Sequence, residues 1–180
     1  WEEYQNKLRE LMGLDNKMIR RLYEMARQKP QRVVFSETNH LNMLKAAETA
    51  RAEGICKPIL LGNEEKIANV ARENQISLEG IEIVNLRHDR EEERRLRYAG
   101  ILTEKRKRQG MTFDEATEKM FERNYFGMMM VETGEADAMI TGVFSKYVDS
   151  TAIAKEAIGL REGINHIGAM HIVNTKKGML

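Results

Sequence analysis

Arg32-Val33-Val34-Phe35-Ser36 and, further on, Pro58-Ile59-Leu60-Leu61-Gly62 are the two stretches that decide how this chain folds. Each is a short, continuously apolar run, the pattern of a strand buried on both faces. Between them, residues 40–53 place Leu41, Leu44 and Ala47 at helical spacing, and Gly54 is a natural stop. Strand, helix, strand in this order predicts two parallel neighbours joined by a crossover helix.

Working outward, Asn63 is placed to cap a helix carrying Ile67, Val70 and Ala71, and Ile81 to Leu86 reads as a third strand. Residues 89–109 form a very charged helix, expected to be solvated along much of its length and ended by Gly110. Thr112 to Glu115 fits a capping box that starts a helix over 113–122. The Met-rich segment Tyr125 to Val131 reads as helical core or interface filling. Ala138-Met139-Ile140-Thr141-Gly142 is a fourth strand, a helix fits 149–158, and a last strand falls near 166–173. Upstream, residues 2–12 place Tyr4, Leu8, Leu11 and Met12 on one helical face. A helix over 16–28 places Met18, Leu22, Met25 and Ala26 at helical spacing, with Asp15 as cap and Pro30 as terminator.

The fold class expected is α/β, a three-layer arrangement of a mostly parallel sheet with helices on both faces. Three divisions follow: a helical lead-in over 1–30, a first α/β domain over 31–142, and the truncated start of a second over 143–180.

Composition narrows the class. Of 180 residues, 42% are hydrophobic, enough for a core without disulfides or metals. The single cysteine, Cys56, excludes a disulfide framework and suits a reducing compartment. With 29 basic and 28 acidic residues the net charge is +1, which gives no general drive toward nucleic acid or anionic membrane. No apolar run approaches the roughly 18 residues of a membrane span, and Trp1-Glu2-Glu3-Tyr4 is no signal peptide, so a cytoplasmic location is expected. The missing initiator Met suggests excision from a longer chain. Lys176-Lys177-Gly178 reads as a turn leading into a strand.

Ligands of open α/β sheets bind at the carboxyl ends of the strands. That singles out Ser36-Glu37-Thr38-Asn39, Gly62-Asn63-Glu64 and Thr141-Gly142-Val143-Phe144-Ser145-Lys146. In the third, backbone N–H groups before a helix are suited to phosphate, with Lys146 adding charge. The same residues also suit an ordinary strand-to-helix loop with a Gly turn. Lys105-Arg106-Lys107-Arg108 reads either as a solvated helix terminus or as a source of one phosphate-directed Arg. His166 and His171, five apart in a strand, face opposite sides and make a poor metal pair. Cys56 reads as a buried inert thiol. Ser145, Ser150 and Thr151 have no nearby His to activate them.

The runs quoted above, with Leu44-Lys45-Ala46-Ala47 and Glu53-Gly54-Ile55, resemble the opening of the phosphotransacetylase family. Arg106-Lys107-Arg108-Gln109-Gly110-Met111-Thr112, Tyr125-Phe126-Gly127-Met128-Met129-Met130 and Gly134-Glu135-Ala136-Asp137-Ala138 followed by Gly142 continue the likeness in the same order. The resemblance implies two α/β domains of isocitrate/isopropylmalate-dehydrogenase-like architecture, with acyl-CoA or acyl phosphate bound between them. Trp1-x-x-Tyr4, Lys57 to Gly62, Ser145-Lys146-Tyr147 and Asn174 to Gly178 are similar in particular to the carboxyl-terminal phosphotransacetylase-like domain of multidomain NADP-dependent malic enzymes. In that branch, the resemblance implies, another domain uses NADP and a divalent metal. This segment would sense acetyl-CoA and form a homo-oligomer, with no cofactor of its own. The transferases' Thr-x-Arg-Pro motif is absent, since Ser150-Thr151-Ala152-Ile153 stands in its place. The ligand-binding set expected is Arg106, Gly142, Ser145, Lys146 and Thr151, with no catalytic residue and no metal ligand assigned.

Overall fold

A computed structural model describes Tyr4, residues 17–168, 174–175 and 178–179. Apart from Tyr4, the helix expected over 2–12 lies outside the described residues, as do Asp15 and residues 169–173. The first described helix, α1 (Lys17–Gln28), leads to β1 (Gln31–Phe35), α2 (Leu41–Ala52), β2 (Cys56–Leu61), α3 (Glu64–Glu73) and β3 (Glu82–Val84). Then come α4 (Glu92–Arg106), α5 (Phe113–Lys119), α6 (Arg123–Glu132), β4 (Ala138–Ile140) and α7 (Tyr147–Ala157). Short 3-10 turns, Asp89–Glu91 and Lys107–Gln109, flank α4.

The four main strands form one sheet in the order β3-β2-β1-β4, with all three pairings parallel. Val34 of β1 stands opposite Ile59 on one side and Met139 on the other. Alternation along the strands divides the core. Phe35 and Leu60 meet Met43, Leu44 and Ala47 of α2 and Ile67 and Ala71 of α3. Val34, Ile59, Leu61 and Val84 face the other way, onto Tyr98, Leu102, Met120, Phe126, Met129 and Met130. The expected three layers are therefore present. The close approach of the loop after β1 requires a glycine after β2, because a Cβ on Gly62 would stand 2.7 Å from Thr38 Oγ1. That hydroxyl is fixed by donating to the Leu61 carbonyl at 2.6 Å.

Local signals held well. The Asn63 side chain accepts from the Lys66 amide at 2.9 Å, and Thr112 and Glu115 form the reciprocal capping box. The Met-rich segment is core, buried from Tyr125 through Met130.

Several expectations are corrected. The charged helix is solvated on one face as expected, but the other face is core: Arg95, Tyr98, Ala99 and Leu102 are buried. Arg95 is tolerated there because Nη1 donates to the Leu86 carbonyl at 2.6 Å and the His88 carbonyl at 2.9 Å. Its guanidinium also lies 4.7 Å from the Phe121 ring centroid. In α1 the apolar face is open, with Leu22 51% and Met25 57% exposed. The helix is tied down instead by Arg27 Nε, which donates to the Glu53 carbonyl at 2.7 Å. Residues 113–122 are helical only to Lys119. Residues 166–168 are irregular, not strand. Asn174–Thr175 (β5) pairs antiparallel with Gly178–Met179 (β6), and the turn expected at Lys176-Lys177 lies outside the described residues.

The connectivity creates one special place. From β1 the chain steps to β2 and β3 on one side, then returns to lay β4 on β1's other side. The crevice outside the carboxyl ends of β1 and β4 is a topological switch point, where open α/β sheets accept ligands.

Candidate functional site

Two loops meet at that crevice, Ser36 to His40 after β1 and Thr141 to Lys146 after β4. The second was expected to cradle an anion, and it does, but the anion belongs to the protein. Glu37 Oε1 accepts from the Ser145 amide at 3.0 Å, the Ser145 hydroxyl at 2.5 Å and the Gly142 amide at 3.4 Å. Oε2 accepts from the amides of Val143 at 3.0 Å and Phe144 at 3.1 Å. Gly142 has φ +89, which turns its amide toward the same carboxylate as its neighbours'. Burial pushes the Glu37 carboxyl up. The hydrogen bonds from Ser145, Phe144 and Gly142 outweigh that and hold it below the usual carboxylate range.

Of the remaining predicted site residues, Lys146 and Thr151 belong to α7 and Arg106 to the end of α4. Lys146 is its exposed N-cap and makes no side-chain cap bond. The Thr151 hydroxyl is turned inward on the helix, donating to the Tyr147 carbonyl at 2.8 Å and the Val148 carbonyl at 3.0 Å. Arg106 stands at the far end. Its Nε donates to the Glu156 carbonyl at 2.6 Å and its Nη2 to the Lys155 carbonyl at 2.7 Å, closing the carboxyl end of α7. There it lines a cavity of about 620 Å³ with Gly110, Met111, Glu115 and Lys119. The 11-residue helix separates this corner from the Gly142–Ser145 loop by about 16 Å at 1.5 Å per residue. One phosphate cannot touch both ends, whereas an extended nucleotide-like ligand can.

Sequence reasoning singled out Ser36 to Asn39 but missed Arg87, Arg123 and Asn124 on the other wall of the crevice. A cavity of about 450 Å³ is lined by Ser36, His40, Arg87, Arg123, Asn124 and Ser145, among others. Arg123 Nη1 donates to the Ser36 carbonyl at 3.4 Å and Nη2 to Asn39 Oδ1 at 3.0 Å. Burial first, and then the charge of Arg87, push its guanidinium below its ordinary value. A signal for it was present in the sequence: a cation at the first residue of a helix opposes the helix dipole and needs another reason to be there. Phe144 covers one side of the crevice, its ring stacked on His40 with centroids 3.3 Å apart. Among the described residues, no group of three or more His, Cys, Asp or Glu is arranged to hold a metal ion. No described helix is long and apolar enough to cross a membrane.

Sheet, crevice and loop define an α/β protein of the open, parallel kind, with one of its own carboxylates held at the strand ends. Residues 17–180 match the family described as Phosphate acetyl/butaryl transferase, and the chain belongs to that family. It is similar to a phosphate acetyltransferase of Acetivibrio thermocellus, 31% identical over 156 residues, covering 86% of this chain and 45% of that protein. It is equally similar to an NADP-dependent malic enzyme of Salmonella typhimurium, 31% identical over 184 residues, covering 99% of this chain and 24% of the relative. Among solved structures, the EutD phosphotransacetylase from Staphylococcus aureus superposes with a TM-score of 0.70 at 27% identity. That match covers 81% of this chain and 43% of the other. The chain thus spans less than half the length of these relatives.

Proposed function

We propose that this chain is the phosphotransacetylase-like, acetyl-CoA-binding regulatory and oligomer-forming domain of an NADP-dependent malic enzyme. The observation that carries the reading is coverage. The malic enzyme relative aligns over 99% of the chain, whereas the transferase aligns over 86%. A second observation favours sensing over turnover. Ala152 stands where the transferases resembled here place an Arg, and loss of one such charge typically costs about 100-fold or more in rate. Binding survives that loss more readily than catalysis does. Arg106, with the 620 Å³ cavity beside it, is the group proposed to meet the CoA end of the ligand. The loop at Gly142 and Ser145 would border the acyl end. Ile140, Val143, Phe144, Tyr147 and Val148, each 43–71% exposed, form an apolar stretch that favours assembly. NADP and the divalent metal would serve another domain, and oxidation and decarboxylation of malate would occur there. The protein would work in the cytoplasm.

A phosphate acetyl- or butyryltransferase is the second reading, favoured by the equal identity to a transferase. A purely structural dimerisation module is the third. The deciding experiment is calorimetric titration of the parent protein with acetyl-CoA, with malate oxidation and acetyl-phosphate turnover measured on the same sample. Binding that shifts malate oxidation without forming acetyl-CoA from acetyl phosphate is the expected result. A coupling of about 1–3 kcal/mol is the ordinary size for such regulation. Turnover would establish the transferase instead, and no binding would leave the structural module.

A further inference from the structure

We propose that residues 1–25 are a seam between two copies of this chain, the amino-terminal arm of one copy lying antiparallel across α1 of the other. Trp1, Tyr4, Leu8, Leu11, Asp15, Met18, Leu22 and Met25 recur at alternating steps of three and four, the a/d frame of a coiled coil. Seven of these eight positions are apolar, and a frame sustained for about three to four heptads argues for helix pairing.

The structure separates this frame from the side that α1 turns to the domain. Tyr4, Leu22 and Met25 are 62%, 51% and 57% exposed. Ile19 and Ala26, beside the frame, are half-buried. The domain grips α1 at its carboxyl end, where Arg27 meets the Glu53 carbonyl and carboxylate. A helix of 12 residues is marginal in water by itself, since isolated helices need roughly 12–15 residues and packing of the apolar face supplies most of the stability.

Charge selects the occupant and its direction. Residues 1–16 carry Glu2, Glu3, Glu10 and Asp15 against Lys7 and Arg9. Residues 17–29 carry Lys17, Arg20, Arg21, Arg27 and Lys29 against Glu24. A parallel pair of copies sets basic helix beside basic helix and Asp15 against the partner's Asp15, and both contacts repel. In the antiparallel frame a positions meet d positions: Trp1 the partner's Met25, Tyr4 the partner's Leu22, Leu8 the partner's Met18. Each acidic arm then lies on the partner's basic helix, and the two Asp15 carboxylates fall in different layers. The contact is isologous, so it closes as a dimer. An arm folded back on its own α1 would cover Tyr4, Leu22 and Met25 together, and all three are open.

This seam is separate from the exposed stretch on β4 and α7, and it holds whether or not the domain regulates a malic enzyme. The experiment is sedimentation velocity of the whole chain over a concentration series, joined to disulfide trapping in a Cys56→Ala background. A dimer is expected, and Leu22→Glu with Met25→Glu should raise its dissociation constant roughly tenfold or more. Val148→Glu, in the other exposed stretch, should leave it unchanged. All three positions lie on the surface, and circular dichroism checks that each variant folds. For direction, a Tyr4→Cys chain is mixed with a Leu22→Cys chain and oxidised. A disulfide joining the two different chains is expected. Leu22→Cys chains joining preferentially to each other would mean a parallel pair. A chain carrying both Tyr4→Cys and Leu22→Cys that closes on itself as a monomer would mean a hairpin. Either result overturns the proposal. So does a chain that is monomeric at every concentration, or a dimer indifferent to Leu22→Glu and Met25→Glu. The sedimentation arm keeps Cys56 and decides alone if the Cys56→Ala background does not fold.

Discussion

The two ends of α7 are secured by opposite chemistry. At its amino end, one carboxylate, Glu37, gathers four backbone amides and a hydroxyl. At its carboxyl end, one guanidinium, Arg106, gathers two carbonyls, and the Lys119, Tyr125 and Glu156 side chains join beside it. Each charge complements the helix dipole. The ends differ in what remains for a ligand. The carboxylate fills the loop it binds, so the predicted phosphate cradle is occupied from within. The guanidinium satisfies its carbonyls and still borders an open cavity. A residue whose charge is used up within the fold and a residue that still borders open space can therefore look alike in sequence and separate in structure.

The largest effect is expected from Glu37→Gln. The amide keeps one acceptor but turns a donor toward the Val143 and Phe144 amides, which should destabilise the fold by about 2–3 kcal/mol in denaturant unfolding. Its pH signature sharpens the comparison. Because the folded carboxyl sits below its ordinary value of 4.5, the unfolded state binds more protons in between. The contribution is complete above 4.5 and is lost as pH falls through the folded value. Unfolding midpoints of Glu37→Gln should therefore fall less with acid than those of the native chain. Next in size is Arg106→Gln, which abandons the two carbonyls at the other end and should cost about 1–2 kcal/mol. If it proves as costly as Glu37→Gln, the two ends are equivalent and the contrast fails. Tyr125→Phe removes a hydroxyl that donates to Glu156 and accepts from Lys119 at 2.9 Å, and should cost about 1 kcal/mol. The smallest change is in the low-pH tail. Asp137, held down by Arg32 from 3.8 to about 2, should lose its contribution only between those values. Arg32→Gln should flatten unfolding curves there and nowhere else.

The strands at Val33-Val34-Phe35 and Ile59-Leu60-Leu61 were legible because a buried parallel strand is uniformly apolar, and the Asn63 and Thr112 caps because capping is local. The buried face of α4 was not, because Arg95 reads as a surface charge until Leu86, His88 and Phe121 surround it. Nor was the occupant of the Gly142 loop. Glu37 and Ser145 lie 108 residues apart, and only the strand order brings them together. The Arg87–Arg123 pair was hidden for the same reason, each residue standing beside a different element.

The placement of β1 between a near neighbour and a distant one also bears on how the chain assembles. Its pairing with β2 closes a short loop. Its pairing with β4, sealed by Asp137 accepting from the Arg32 amide at 2.8 Å, spans 105 residues. Loop-closure entropy and contact order both place the second pairing late. Until it forms, β1 presents a bare, apolar edge to other chains emerging beside it. Refolding yield should therefore fall with protein concentration, and fall most in variants that delay β4.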